Sequence, residues 1–241
     1  MTRDVAPGVH RVEDAIVNWY LVEDDDGVLV VDAGTPPSWK SLRDALSQLG
    51  RTFGELRALV LTHGHFDHVG FARRAQEELQ LPVLCSPPEV EIARHPRRYP
   101  TERSRIPYFV HPRGAVLLGR LLLDGAAFAR GLDGLRTFAP GDVLEDLPGG
   151  PVVLDTPGHT PGHVSFHLPD RDCVIAGDAL VTLDPYTGRT GPRLVARGAT
   201  ADSARAAASL DAIAATGARV VLPGHGEPWL EGAQLAAEQA R

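Results

Sequence analysis

Two cysteines, Cys85 and Cys173, are all that 241 residues contain. Both stand in apolar, strand-like runs. They read as buried reduced thiols in preference to a disulfide or a metal role. Lysine is scarcer still, with Lys40 the single example, so the basic character comes from arginine. Acidic residues outnumber basic ones 31 to 24, a formal charge of −7. A chain of that sign is a poor general polyanion binder, so nucleic acid is not expected as a partner. No apolar run approaches the ~20 residues that span a bilayer. The opening "MTRDVAPGVH" has no apolar secretion segment. A cytoplasmic protein with no membrane partner is the expectation. The length suits one domain with a sizeable core.

What is present begins with β-rich runs. "GVHRVE", "AIVNWYLVE" and "GVLVVDAG" are strands, and "DDDG" at 24–27 turns the chain between the second and third. "TPPSWKSLRDALSQLG" reads as a helix capped by Thr35 or Ser38, with Leu42, Ala45, Leu46 and Leu49 as its apolar stripe. "LRALVLT" is a buried strand, "DHVGFARRAQEELQ" a helix and "PVLCS" a strand. Residues 89–136 break this rhythm. They are rich in Arg and Pro first and helical later, with more apolar positions on "GAVLLGRLLLDGAAFARG" than one helix face needs. Strands resume at "PVVLDTPG", "HVSFHLP" and "DCVIAGD". A helix over "TADSARAAASLDAIAATG", the strand "ARVVLPGHG" and a short helix from Trp229 close the chain. β-rich and alternating β/α stretches in each half predict sheets covered by helices, an α/β four-layer αββα sandwich. A single domain over 1–241 with a mainly helical insertion at about 89–136 is expected.

The chemistry concentrates in "LVLTHGHFDHVG", where His63, His65, Asp67 and His68 fall within six positions. A strand end spaces His63 and His65 two apart, so both rings point one way. The following turn brings Asp67 and His68 round at the start of a helix. Imidazole nitrogen and carboxylate oxygen suit a borderline metal such as zinc. Three more candidates also follow apolar strands: His159 after "VVLDTPG", Asp178 after "CVIAG" and His225 after "VVLPG". Their glycines permit tight turns that aim the side chains.

"THGHFDH", "TPGHTPGHVSF", "AGDAL" and "LPGHG", in that order, resemble the metallo-β-lactamase-fold hydrolase superfamily, in its glyoxalase II and lactonase-like branch. The resemblance runs from "VVDAG" to "PGHG" and leaves the 89–136 segment unmatched. It implies a dinuclear site along one edge of two sheets. His63, His65 and His159 would hold metal 1, Asp67, His68 and His225 metal 2, and Asp178 would bridge. Asp32 in "VVDAG" would support the ligand loops without ligating, and His163 would be structural. Zinc is the first choice of metal, with iron or manganese as alternatives, because the same ligands suit all three.

Two such metals, about 3.5–4 Å apart, would hold a bridging water and lower its pKa toward 7. Hydrolysis of a small ester, thioester or lactone follows, with Asp67 placed to orient the nucleophile or take its proton. The alternatives are a mononuclear iron dioxygenase resembling persulfide dioxygenases, a β-lactamase, and a phosphodiesterase or nuclease. The family's true β-lactamases generally lack the aspartate that Asp178 supplies. Glyoxalase II enzymes carry a helical substrate domain after the last histidine, where only about sixteen residues follow His225 here. The 89–136 segment is then the expected cover for a small-molecule substrate, or a homodimer contact. Arg97, Arg98, Tyr99, Arg103 and Arg105 are candidates for steering an anion. In the Pro- and Gly-rich loop after Asp178, Tyr186 is the candidate oxygen-stabilising group, followed by Arg189 and Arg193.

Overall fold

The computed structural model describes residues 1–241, apart from the side chain of Phe109. The first sheet is laid down by β1 (Thr2–Ala6), β2 (Val9–Asp14), β3 (Val17–Asp24), β4 (Gly27–Val31), β5 (Leu56–Val60), β6 (Val83–Cys85) and β7 (Arg136–Thr137) in sequence order. β1 to β4 pair antiparallel and β4 to β7 parallel. β8 (Val152–Asp155), β9 (Val164–Leu168), β10 (Cys173–Gly177) and β13 (Val220–Pro223) make the second, in the order β13-β10-β9-β8. β11 (Val181–Leu183) and β12 (Thr190–Arg193) form a separate hairpin in the stretch after Asp178 that reads as a loop in the sequence. Its Thr-Gly-Pro-Arg strand has little β-propensity, which is why it was hidden.

Seven helices accompany the sheets: α1 (Ser38–Leu49), α2 (Ala72–Leu79), α3 (Glu89–Arg94), α4 (Ile106–Phe109), α5 (Pro112–Leu123), α6 (Ser203–Ala214) and α7 (Ala233–Ala240). Three apolar layers show the four-layer stacking. Val28 and Val30 of β4 face α1 and α2, packing with Leu42, Leu46 and Ala75. Leu29 and Val31, on the other face, meet Phe166, Ile175 and Leu222 of the second sheet. Val174, Ala176 and Val221 then pack on Leu210, Ile213 and Ala236 of α6 and α7. Both faces of β4 are thus covered, which is why "GVLVV" shows no polar alternation. Cys85 and Cys173 are buried free thiols, each pushed up to about 12, mainly by burial.

Three local expectations shift. α1 begins after Pro37 with no side-chain cap. Ser38 Oγ accepts instead from Thr35 N at 3.1 Å. α2 begins at Ala72, so Asp67 and His68 lie on the turns before it, closed by His68 N donating to His65 O at 2.9 Å. Trp229 pairs as a bridge with Val221, and the last helix starts only at Ala233.

Candidate metal centre

Four strands end at one edge of the stacked sheets, and each is followed by a loop bearing candidate ligands. β5 leads to His63–His68, β8 to His159, β10 to Asp178 and β13 to His225. One ligand atom from each of His63, His65 and His159 lies within 4.8 Å of the others, and the same holds for Asp67, His68 and His225. Asp178 stands between the triads. Its Oδ1 is 3.6 Å from His68 Nε2, and its Oδ2 is 3.5 Å from His159 Nε2 and 3.4 Å from His225 Nε2. All seven are buried.

These separations fit a metal-ligating set. Donors about 2.1 Å from a tetrahedral ion are roughly 3.4 Å apart. Orphaned atoms point the same way: His63 Nε2, His68 Nε2 and Asp178 Oδ1 are buried without a hydrogen-bond partner among the described residues. Such groups cost on the order of 1–3 kcal/mol each when left unpaired, so a cluster of them marks a ligand site. His65 Nδ1 and His159 Nε2, 3.0 Å apart, face each other in the first triad.

Each ring is aimed by a neighbour. Asp32, in the left-handed conformation at φ 62°, accepts from Thr62 N and Thr62 Oγ1, both at 2.8 Å, and from His68 Nδ1 at 3.0 Å. Thr62 Oγ1, having donated to Asp32, accepts from His63 Nδ1 at 3.0 Å. His225 Nδ1 donates to Ile16 O at 2.7 Å. In the neutral rings these bonds place the proton on Nδ1, so that Nε2 of His63, His68 and His225 is the nitrogen offered to the cluster. The PGHG loop is clamped from β3, with Asn18 Nδ2 donating to Pro223 O at 2.9 Å and Tyr20 Oη to the same carbonyl at 2.7 Å. His163 accepts from Asp178 N through Nε2 at 3.0 Å while its Nδ1 meets Thr156 Oγ1 at 3.0 Å. It supports Asp178 from behind. Gly224 is required for space: a Cβ there would run into Asp178 Oδ1 and come within 2.9 Å of His68 Cε1.

Glu89 is the positioning residue that the sequence reading missed. It is fully buried, and its carboxylate accepts from Gly64 N at 2.8 Å and Gly162 N at 2.9 Å. It therefore ties the His63–His65 turn to the loop after His159. The available signal was its place: an acid just beyond an apolar strand, like Asp178.

Electrostatics separates the triads. Burial, followed by the neighbouring imidazoles, holds His63 well below the ordinary histidine value. Burial likewise lowers His65, and brings His159 to about 4 and His163 to about 3. These rings are neutral at pH 7. Burial also opposes charge on His68, but Asp178, Asp32 and Asp67 outweigh it and raise the ring to about 10. His225 is raised against the same burial, mainly by Asp178. Burial disfavours the charged form of Asp178 as well, yet His225 and His68 hold its carboxyl well below the usual range.

A narrow pocket opens over the cluster. Tyr99, Leu118, Leu121, Tyr186, Val195 and Ala199 line it beside the candidate ligands. The Tyr99 ring lies on His65 with centroids 3.6 Å apart, and Arg105 covers its other face at 4.2 Å. Burial pushes the Tyr186 phenol up to about 12 and Tyr99 well above its usual value, so both stay protonated donors. Arg189 and Arg193 line a neighbouring groove with Arg197 rather than this pocket. The β11–β12 hairpin carries them away from it, which corrects their placement as pocket residues. Arg97 and Arg98 are exposed, and Arg97 is bound to Ala127 O.

The four layers and the edge cluster define the metallo-β-lactamase class of metal-dependent hydrolases. The chain belongs to the metallo-beta-lactamase superfamily, whose model matches residues 12–225. It is similar to the probable metallo-hydrolase YflN of Bacillus subtilis, 30% identical over 187 residues, covering 75% of this chain and 67% of that protein. The chain thus spans about two thirds of that relative. Among solved structures, the metallo-beta-lactamase family protein TTHA1429 from Thermus thermophilus superposes with a TM-score of 0.69 at 26% identity, over 97% of this chain and 78% of that one. TTHA1623, solved in a di-iron-bound form, gives 0.65 at 27% identity over 95% and 96%. Among the described residues, no helix is long and apolar enough to cross a membrane.

Proposed function

We propose that this chain hydrolyses a small ester, thioester or lactone with two divalent metals. His63, His65 and His159 would hold one, Asp67, His68 and His225 the other, with Asp178 shared. The convergence of seven buried side chains at ligand-to-ligand separations carries this reading. Bound there, the metals would supply a nucleophilic hydroxide at neutral pH and polarise the substrate oxygen.

The protein's own groups divide the remaining work. Asp67 lines the pocket while its Oδ2 stays 3.6 Å from His225 Nε2, so its other oxygen can orient the attacking water and accept its proton. The Tyr186 hydroxyl, a donor at any physiological pH, can hydrogen-bond the oxygen on which charge develops. Leu118, Leu121 and Val195 place apolar surface beside the cluster, which favours an apolar acyl group.

Zinc suits the His/Asp set, and the di-iron form of TTHA1623 favours iron as the second choice. A mononuclear oxygenase fits less well, because the second triad is as buried and as tightly gathered as the first. Metal analysis of protein produced with zinc, iron or manganese, joined to a panel of thioesters, lactones, phosphodiesters and β-lactams, tests the proposal. Two ions per chain and turnover of an acyl substrate are expected. Less than one ion per chain under every supply overturns it. Tyr186→Phe should lower kcat by about 10²–10³ with little change in KM, as for loss of an oxyanion donor.

A further inference from the structure

The face of α5 turned away from the pocket is the least explained surface of the molecule. Gly114, Leu118 and Leu121 form the buried face of this helix. The opposite stripe is Arg113, Val116, Arg120 and Leu123, spaced three, four and three apart, and all four are exposed. Val116 is 58% and Leu123 91% accessible, and Ile106, Val110, Leu122 and Phe128 nearby are also exposed. Exposed apolar side chains gathered in one stretch mark an interaction site.

Charge selects the occupant. Residues 97–128 contain six arginines and two acids, Glu102 and Asp124, in a chain of net charge −7, and Asp124 is already engaged, accepting from Thr35 Oγ1. So is Glu102, 3.6 Å from Arg197 and accepting from Ser203 N at 3.1 Å. A second copy docked antiparallel on the same stripe would set Arg113 against Leu123 and Arg120 against Val116, burying each guanidinium with no counter-charge, an unfavourable arrangement for a self-complementary contact. A surface rich in phosphate neutralises them while taking up the apolar side chains between them.

We propose that the outer face of α5, with α4 and the 126–128 turn, seats on an anionic lipid surface. No spanning segment is involved: the helix lies in the interface, with Val116 and Leu123 at the acyl boundary and Arg113 and Arg120 on lipid phosphates. The absence of a bilayer-spanning run in the sequence excludes the first mode of membrane association and not the second. The same helix lends Leu118 and Leu121 to the pocket from its other side, so seating would hold the pocket about 10 Å, one helix diameter, from the lipid. The proposal does not depend on the reaction catalysed.

Vesicle co-sedimentation of the full chain tests it, with phosphatidylcholine vesicles compared to ones holding about 30% phosphatidylglycerol, at about 25 mM and about 300 mM salt. Partitioning is expected on the anionic vesicles only, and it should weaken with salt. Arg113→Gln with Arg120→Gln should weaken it about twenty-five-fold, from about fivefold per arginine. Val116→Gln with Leu123→Gln should weaken it at low salt too. All four positions are exposed, so the variants should fold, and circular dichroism checks that. The comparison of lipids on the unaltered chain stands even if they do not. No partitioning, or equal partitioning on both vesicles, overturns the proposal. So does a dimer in light scattering that the Val116→Gln/Leu123→Gln pair dissolves, or binding to an acidic polypeptide such as polyglutamate without binding to vesicles.

Discussion

Asp32→Asn changes one carboxylate oxygen into an amide nitrogen and little else. Asparagine tolerates the left-handed backbone at φ 62°, so strain is not the perturbation. The native carboxylate accepts three hydrogen bonds, from Thr62 N, Thr62 Oγ1 and His68 Nδ1. An amide can present its oxygen to only one side. With the oxygen toward Thr62 N, its NH2 meets the Thr62 hydroxyl and His68 Nδ1. That forces the His68 proton onto Nε2, the atom facing the candidate second metal. With the oxygen turned the other way, the NH2 meets the Thr62 N–H inside the core.

Either arrangement forfeits a charge-assisted bond of about 1.5–3 kcal/mol. Loss of such support to a ligating histidine weakens metal binding by about 10–100-fold. One effect opposes this. Asp32 helps raise metal-free His68 to about 10, so the variant loses less affinity to proton competition at neutral pH. That relief fades as pH rises, whereas the tautomer penalty does not. Metal titration against a chromophoric chelator, at about pH 7 and about pH 9, should therefore show one tight and one weakened site, with the larger defect at the higher pH. The His63–His65–His159 set should keep its affinity to within a few-fold. Two unaltered tight sites at both pH values would refute the reasoning.

Other expectations follow from single contacts. Glu89→Gln keeps the volume but can accept from only one of Gly64 N and Gly162 N, so metal-free stability should fall by about 1–3 kcal/mol in urea unfolding. A change under about 0.5 kcal/mol would mean that the carboxylate does not clamp the loops. Gly224→Ala should fold with reduced stability yet fail to retain a full metal complement by elemental analysis, because the added methyl displaces Asp178. His163 titrates at about 3 in the fold against 6.5 when free. A histidine lowered in this way gives stability that is whole above 6.5 and drains away as pH falls toward about 3, at up to about 1.4 kcal/mol per pH unit. Replacing it with Asn should make the acid limb of metal-free stability shallower, measured by thermal melts across that range. An unchanged limb would show that His163 is not buried neutral.

Much of the fold could be read from local pattern. Buried runs such as "GVLVV" and "CVIAG" announce strands, and the apolar stripe of Leu42, Ala45 and Leu46 announces α1. The seven candidate ligands were legible because each follows an apolar strand in a tight loop, a relation between neighbours in sequence. The β11–β12 hairpin was not, since Thr190–Arg193 pairs as a strand only in its tertiary setting. That one hairpin moved Arg189 and Arg193 out of the pocket. Glu89 follows an apolar strand as Asp178 does, but its partners Gly64 and Gly162, 25 and 73 residues away, are brought to its oxygens only by the fold. Tyr99 in the Arg-rich stretch gives no sign that its ring will lie on His65.

By itself, then, the sequence determined which chemical groups stand at strand ends, and so what kind of ion they suit. That follows from local geometry, because residue type and turn length set what each loop can offer. The tertiary structure alone decided how the loops are held together. Asp32 with Thr62, Asn18 with Pro223, and Glu89 with two glycine amides join elements far apart in the chain. Their worth comes from burial, where an unmet donor is costly, and burial exists only once the two sheets have closed on each other.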